Sequence, residues 1–156
     1  MKADYQIILA EDHVRFRGEI KKIIDEIPGV AIVAEVGDGH ELFGLLETSR
    51  PDLLLLDISM PNLRGMEATQ AIKFRYPEVK VILMLIDKET EYLTHAIAAG
   101  ADGILLKQNS AKDLRSAIQK IRRGGRYFPG LAEEQRYGGD SGKINLFGPL
   151  ALLSFY

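Results

Sequence analysis

The chain has no cysteine among its 156 residues. Disulfides, thiolate metal centres and cysteine nucleophiles are therefore excluded. It also lacks an excess of charge: the formal net charge is -2, which leaves no basic footprint for nucleic acid. No apolar run approaches the length of a membrane span. Met1-Lys2-Ala3-Asp4-Tyr5-Gln6 has none of the apolar core of a secretion signal. No internal repeat or low-complexity tract is evident. These absences predict a cytoplasmic protein with no membrane partner. What remains is an ordinary globular mixture, 46% hydrophobic and 27% charged. It is long enough for one domain with a substantial core and a short appendage.

The most informative stretch is Leu53-Leu54-Leu55-Leu56-Asp57-Ile58-Ser59-Met60-Pro61. An unbroken apolar run of this length reads as a strand covered on both faces, as in a parallel sheet between helices. It ends in a carboxylate, which is costly to bury without a cation or hydrogen-bond donors. In open α/β sheets ligands sit outside the carboxyl ends of the strands, so Asp57 is the first candidate working residue.

The same grammar repeats along the chain. Ile7 to Ala10 is a strand that ends in Glu11-Asp12, and Phe16, Ile20, Ile23, Ile24 and Ile27 follow at helical spacing up to Pro28-Gly29. Val30 to Val36 is a strand, Gly37-Asp38-Gly39 a turn, and Leu42, Leu45 and Leu46 mark a short helix. After the leucine strand and its loop, Met66 to Tyr76 is a helix stopped by Pro77. Val79 to Ile86 is a strand, Glu89 to Ala99 a helix ending at Gly100, and Gly103 to Leu106 a strand that ends in Lys107. Ala111 to Arg123 is the last helix of the set. Strand followed by helix, five times over, predicts a doubly wound parallel sheet with helices on both faces. Right-handed crossovers then put all the strand C-termini on one edge.

That edge collects Glu11, Asp12, Asp57 and Lys107. Clustered carboxylates repel unless a cation compensates. An all-oxygen site with room for water suits Mg²⁺, and a lysine beside it can neutralise phosphoryl oxygens. Together these parts describe phosphoryl transfer to a carboxylate. The remaining motifs read as structure. His13 is a hydrogen-bonded loop residue, and His40 and His95 lack a partner at metal-ligand spacing. Lys112, Arg115, Lys120, Arg122 and Arg123 form a solvated helix face.

The segments Ile8-Leu9-Ala10-Glu11-Asp12-His13, Leu55-Leu56-Asp57-Ile58-Ser59-Met60-Pro61, Ala99-Gly100-Ala101-Asp102-Gly103 and Leu105-Leu106-Lys107 resemble the receiver domain of bacterial two-component response regulators. Gly124-Gly125-Arg126-Tyr127-Phe128 resembles the exit from the receiver in LuxR-class, NarL-like members. The resemblance implies a flavodoxin-like (CheY-like) α/β fold and a phosphoacceptor rather than an enzyme. It implies that Asp57 accepts a phosphoryl group from a sensor histidine kinase and that Lys107 contacts that group. Mg²⁺ would sit among Glu11, Asp12, Asp57 and the backbone carbonyl of Ser59. DNA would be reached only through an effector domain, and a homodimer is compatible with the class.

Three positions depart from the family pattern. Leu85 stands where the fourth strand usually ends in Thr or Ser, Ile104 replaces the usual aromatic residue, and Gln108 replaces a frequent proline after the lysine, so a trans bond is expected there. Leu85 and Ile104 bear on the same conformational switch. They keep open a receiver-like interaction module that does not depend on phosphorylation. A Mg²⁺-dependent phosphatase is the weaker alternative, because Ser59 occupies the place of the second acid such enzymes of the haloacid-dehalogenase type carry. The expected organisation is a receiver over 1–125, then a linker and apolar tail over 126–156 with no complete DNA-binding domain. Arg126 to Glu134 could add a helical turn. The apolar tail residues Leu146, Phe147, Leu150, Leu152, Leu153, Phe155 and Tyr156 are expected to pack on their own receiver or on a second copy.

Overall fold

The computed structural model describes residues 4–86 and 90–129. The expectations for the tail beyond Pro129, and for Glu89 at the start of a helix, lie outside these residues.

The leucine strand forms as predicted. It is β3 (Leu53–Asp57), buried along its whole length. Successive strand side chains point to opposite faces. Leu54 and Leu56 enter one core, with Leu42, Leu46, Ile72, Leu83 and Leu93. Leu53 and Leu55 enter the other, with Ile20, Ile24, Ile82, Leu114 and Ile118. Truncating any of these leucines to alanine would cost roughly 2–5 kcal/mol.

Four identical residues carry no register information of their own, and both faces are equally apolar. The ends of the strand set it. Asp52 Oδ2 accepts the Gln6 N–H at 2.7 Å, the Asp52 N–H donates to Gln6 O at 2.8 Å, and Lys80 N–H donates to Asp52 O at 3.1 Å.

Around β3 lie β1 (Tyr5–Ala10), α1 (Val14–Asp25), β2 (Val30–Val36), α2 (Gly39–Thr48), α3 (Gly65–Arg75), β4 (Lys80–Leu85), α4 (Thr90–Ala98), β5 (Gly103–Leu106) and α5 (Ser110–Arg122). The five strands pair in the order β2-β1-β3-β4-β5, all parallel. One core holds the apolar stripes of α2, α3 and α4, and the other holds those of α1 and α5. The strand order reverses between β1 and β3, so their carboxyl ends flank the crevice where such sheets take ligands. No helix among the described residues is long and apolar enough to cross a membrane.

The differences from expectation are at boundaries. Ile27 continues the helical spacing, yet α1 ends at Asp25 and Ile27 is buried from the turn beyond it. Val79 and Ile86 fall just outside β4. A short 3-10 turn, Lys107–Asn109, precedes α5, and no described peptide bond is cis. The helical turn expected from Arg126 is corrected within the described residues. Tyr127 instead bridges Gly103 beside β5, and Phe128 is buried in the core, so packing continues past Gly125. Repeating glycines and a free β5 edge at that point favour pairing over a helix turn.

Candidate functional site

Each predicted charged residue stands where its strand stops. The Glu11 N–H makes the last rung of the β1–β2 ladder, donating to Val36 O at 2.9 Å. Glu11 is then fully buried, while Asp12 is exposed at the rim. Asp57 closes β3 and is 1% exposed. Ligand oxygens of Glu11, Asp12 and Asp57 lie within 4.8 Å of one another. Lys107, just past β5, reaches across to them. Its Nζ is 3.0 Å from Glu11 Oε1 and 3.2 Å from Asp57 Oδ2. All four predicted side chains are therefore brought together.

The two buried acids are unequal. Asp57 Oδ1 accepts both the Ser59 N–H at 3.0 Å and the Ser59 hydroxyl at 2.8 Å. Burial works against its charge, but the Ser59 N–H, the Glu11 carboxyl, the Ser59 hydroxyl and the Lys107 charge together hold its pKa below the usual value. Glu11 goes the other way, pushed up to about 7 by burial first and then by the neighbouring Asp57 carboxyl, against the pull of Lys107.

Glu11 Oε1 and Asp57 Oδ2 face Lys107 at ion-pair distance, yet neither receives a directed hydrogen bond. Buried acceptors left in that state are rare. Two buried oxygens met only by the Lys107 charge, and a third carboxylate at the solvent rim, make a hard, all-oxygen set, which fits Mg²⁺.

The loop after Asp57 is clamped. Asn62 Nδ2 donates to Asp38 Oδ2 at 2.7 Å, and Gly39 N–H donates to Pro61 O at 2.9 Å. Asp38 also caps α2, accepting the N–H groups of His40 and Glu41. A Cβ on Gly39 would stand 2.0 Å from Asn62 O, and one on Gly65 would stand 2.6 Å from Ile58 Cβ. Only glycine allows the loop to lie this close at either end.

A family model for the response regulator receiver domain matches residues 7–119. The chain belongs to that family. Among curated relatives, the receiver is 39% identical over 123 residues to the transcriptional regulatory protein DegU of Brevibacillus brevis, covering 79% of this chain and 52% of that one. It is 30% identical over 118 residues to the nitrate/nitrite response regulator NarL of Escherichia coli, covering 76% and 55%. The chain thus spans about half the length of the curated relatives it matches. Among solved structures, the isolated receiver of Salmonella enterica RcsB aligns with a TM-score of 0.76 at 25% identity, over 86% of this chain and 99% of that one. A structure of two RcsB dimers bound to two parallel DNAs aligns with a TM-score of 0.76 at 26% identity, over 81% and 64%. The chain therefore has the receiver domain of two-component response regulators, with the CheY-like fold, and is similar to receivers of LuxR-family regulators.

Of the atypical positions, Leu85 falls beside Asp57. A cleft of about 150 Å³ opens there, lined by Asp57, Ile58, Ser59, Met84, Leu85, Ile86 and Tyr92. Leu85 ends β4 and is 1% exposed. Ile104 is buried in the same core as Leu85. The β4 side of the cleft is thus an apolar wall. His13 behaves as a loop residue: its Nδ1 accepts the Phe16 N–H at 3.3 Å and caps α1.

Two contacts have no counterpart in the sequence reading. The Phe16 ring centroid lies 5.0 Å from Lys107 Nζ, a cation–π distance. Arg17 Nε donates to the Glu11 backbone carbonyl at 3.0 Å. Both residues sit on the first turn of α1. Phe16 reads as core, and only the fold shows its ring beside the Lys107 ammonium and Arg17 on the Glu11 carbonyl. The placement of Arg17 one helical turn past the His13 cap, close behind Glu11-Asp12, is the signal that the sequence offered.

Proposed function

We propose that this receiver accepts a phosphoryl group on Asp57 from a sensor histidine kinase. The observation that carries the reading is the pairing of Asp57 Oδ2, buried and without a directed hydrogen bond, with Lys107 Nζ 3.2 Å away. Oδ1 is occupied by Ser59, so Oδ2 is the oxygen with a free lone pair. It attacks phosphorus, and the bond from phosphorus to the donor nitrogen breaks as the new O–P bond forms. Its lowered pKa keeps it ionised for that attack. Lys107 draws charge from the phosphoryl oxygens. Glu11, Asp12 and Asp57, with the Ser59 carbonyl, would hold Mg²⁺. When bound, the ion neutralises charge on the transferring group.

No water-activating base beyond these acids is required, and one phosphoryl group per chain is expected rather than turnover on a phosphate ester. The names DegU and NarL and the RcsB–DNA structure support a place in a LuxR-class transcriptional regulator, cytoplasmic and able to dimerise, with DNA reached through an effector domain.

Leu85 and Ile104 favour a second reading, a receiver-like module that works without phosphorylation. Acetyl phosphate, Mg²⁺ and intact mass separate the two. A single phosphate adduct on the wild-type chain and none on Asp57→Asn is expected. A wild-type chain without an adduct overturns the main reading in favour of the second. Release of many equivalents from a small phosphate ester would overturn both in favour of a phosphatase.

A further inference from the structure

We propose that Arg17 is a positioning residue for the acid pocket. It fixes the backbone of Glu11 and thereby the spacing of Glu11 and Asp12 for a divalent cation. The inference rests on the reading of that pocket given above.

The β1–β2 ladder ends with the Glu11 N–H on Val36 O. The Glu11 carbonyl therefore has no strand partner, and the turn that carries both acids begins there. Arg17 Nε and Nη2 both donate to that carbonyl, at 3.0 and 2.5 Å. A forked guanidinium on one carbonyl restrains direction as well as distance. The same Nε also lies near an acid on β2. It is 3.7 Å from Glu35 Oε1, and Lys21 Nζ is 2.9 Å from Glu35 Oε2. Glu35 lies on β2 opposite Leu9, so the chain Lys21, Glu35, Arg17, Glu11 ties α1 and β2 to the end of β1.

The space is shaped for this. A Cβ on Gly37 would come 3.0 Å from Arg17 Nη2 and 3.5 Å from the Asp12 Cα. With no side chain on Gly37, this turn comes close to both the guanidinium and the Asp12 backbone. Charge is handled as well. A bare guanidinium near a cation site would repel the ion, and Glu35 offsets it. The turn is held from inside by the His13 N–H, which donates to Glu11 Oε2 at 3.1 Å. Without Arg17 the Glu11 carbonyl turns to water, and the turn carrying both carboxylates loses its outer restraint.

The test is Mg²⁺ affinity of the full chain, read by calorimetry, beside thermal stability and metal-free amide exchange. Arg17→Met keeps the bulk and removes the donors; its Mg²⁺ dissociation constant should rise roughly tenfold. The His13 amide should exchange faster in the same variant without metal. Acetyl-phosphate labelling should slow at low Mg²⁺ and recover at saturating Mg²⁺, because the ion, not the phosphoryl chemistry, has been affected. Arg17→Lys restores a donor and should recover most of the affinity. Glu35→Gln leaves Arg17 in place but frees its charge, and should weaken Mg²⁺ about threefold.

A folded Arg17→Met with Mg²⁺ affinity unchanged to within about twofold would show that Arg17 serves only the start of α1. If Arg17→Met does not fold, unchanged affinity in Glu35→Gln overturns the proposal in its place. A wild-type chain that binds no Mg²⁺ defeats the pocket reading itself. Affinity in the wild type with no loss in the variants defeats this inference alone.

Discussion

Buried acids stand at both ends of the sheet, and they are treated in opposite ways. At the amino-terminal end Asp102 is 6% exposed and leaves no buried side-chain oxygen without a partner: its Oδ2 accepts Lys73 Nζ at 2.9 Å and the Val81 N–H at 2.9 Å. Lys73 in turn donates to Val79 O at 2.9 Å. This cluster ties the end of α3 to the start of β4 and β5. At the carboxyl-terminal end Glu11 and Asp57 are at least as buried, yet each keeps an oxygen without a directed donor. Burial alone thus does not mark a working carboxylate. The distinguishing property is incompleteness: a structural acid has its donors supplied by the fold, and a working one leaves a place for something the chain does not provide.

The largest effect should come from breaking the amino-terminal cluster. Asp102→Ala strips the partner from Lys73 and an acceptor from Val81, a loss of about 3 kcal/mol in unfolding free energy. Urea denaturation reads it directly. Acetyl-phosphate labelling of the folded fraction should not change, since no residue of the acid pocket touches that cluster. Labelling that falls with stability would join the two ends that the comparison separates.

The open end can be made less open. Leu85→Thr puts a hydroxyl on the apolar wall beside Asp57. A hydrogen bond to a charged group contributes about 1.5–3 kcal/mol, and a ligand shifts a conformational equilibrium only by its differential interaction with the two states. Beryllofluoride, a phosphoryl mimic, should therefore give small amide shifts over 86–106 in the wild type and larger ones in Leu85→Thr. Equal and large shifts in both would show a transmission route independent of that hydroxyl.

The smallest effect concerns pH. The Glu11 pKa is raised to about 7 in the folded chain from 4.5 unfolded. A raised pKa means that the folded state binds the proton more tightly, so this contribution to stability is complete below about 4.5 and is lost as pH rises through about 7. The lowered Asp57 works in the opposite sense and in a lower window, its contribution being lost only as pH falls below the usual carboxylate range. Metal-free stability should thus decline by on the order of 1–2 kcal/mol between pH 5 and 7.5. Glu11→Gln should flatten that decline in denaturation curves. A wild-type profile already flat over the range would mean that Glu11 is ionised throughout.

The sheet and the four charged side chains were legible because apolar runs stop at them. Leu53 to Leu56 reads as a doubly covered strand, and Asp57, Glu11-Asp12 and Lys107 follow such runs directly, so topology alone brings them to one edge. Helix limits were less legible. Ile27 keeps the helical spacing but belongs to the turn, since periodicity reports which side is buried and not where hydrogen bonding ends. The roles of Arg17 and Phe16 were not legible for a related reason. Their types fit a solvated face and a core stripe, and only packed geometry shows one on the Glu11 carbonyl and the other under the Lys107 ammonium. The contrast between Asp102 and Asp57 was likewise hidden: each is an acid beside an apolar strand, and the donors that complete Asp102 come from 21 and 29 residues away.

The Tyr127 bridge also has a consequence for solubility. β5 is one of the two outer strands, and such strands offer unpaired backbone groups to other chains. Here Ile104 N–H donates to Tyr127 O at 2.8 Å and Tyr127 N–H donates to Asp102 O at 3.0 Å. The stretch after α5 therefore acts as a selvedge on the β5 edge, covering backbone groups at which strand exchange could begin. A fragment cut at Gly125 would keep every side chain of the acid pocket and lose this border, trading nothing in chemistry for a tendency to self-associate.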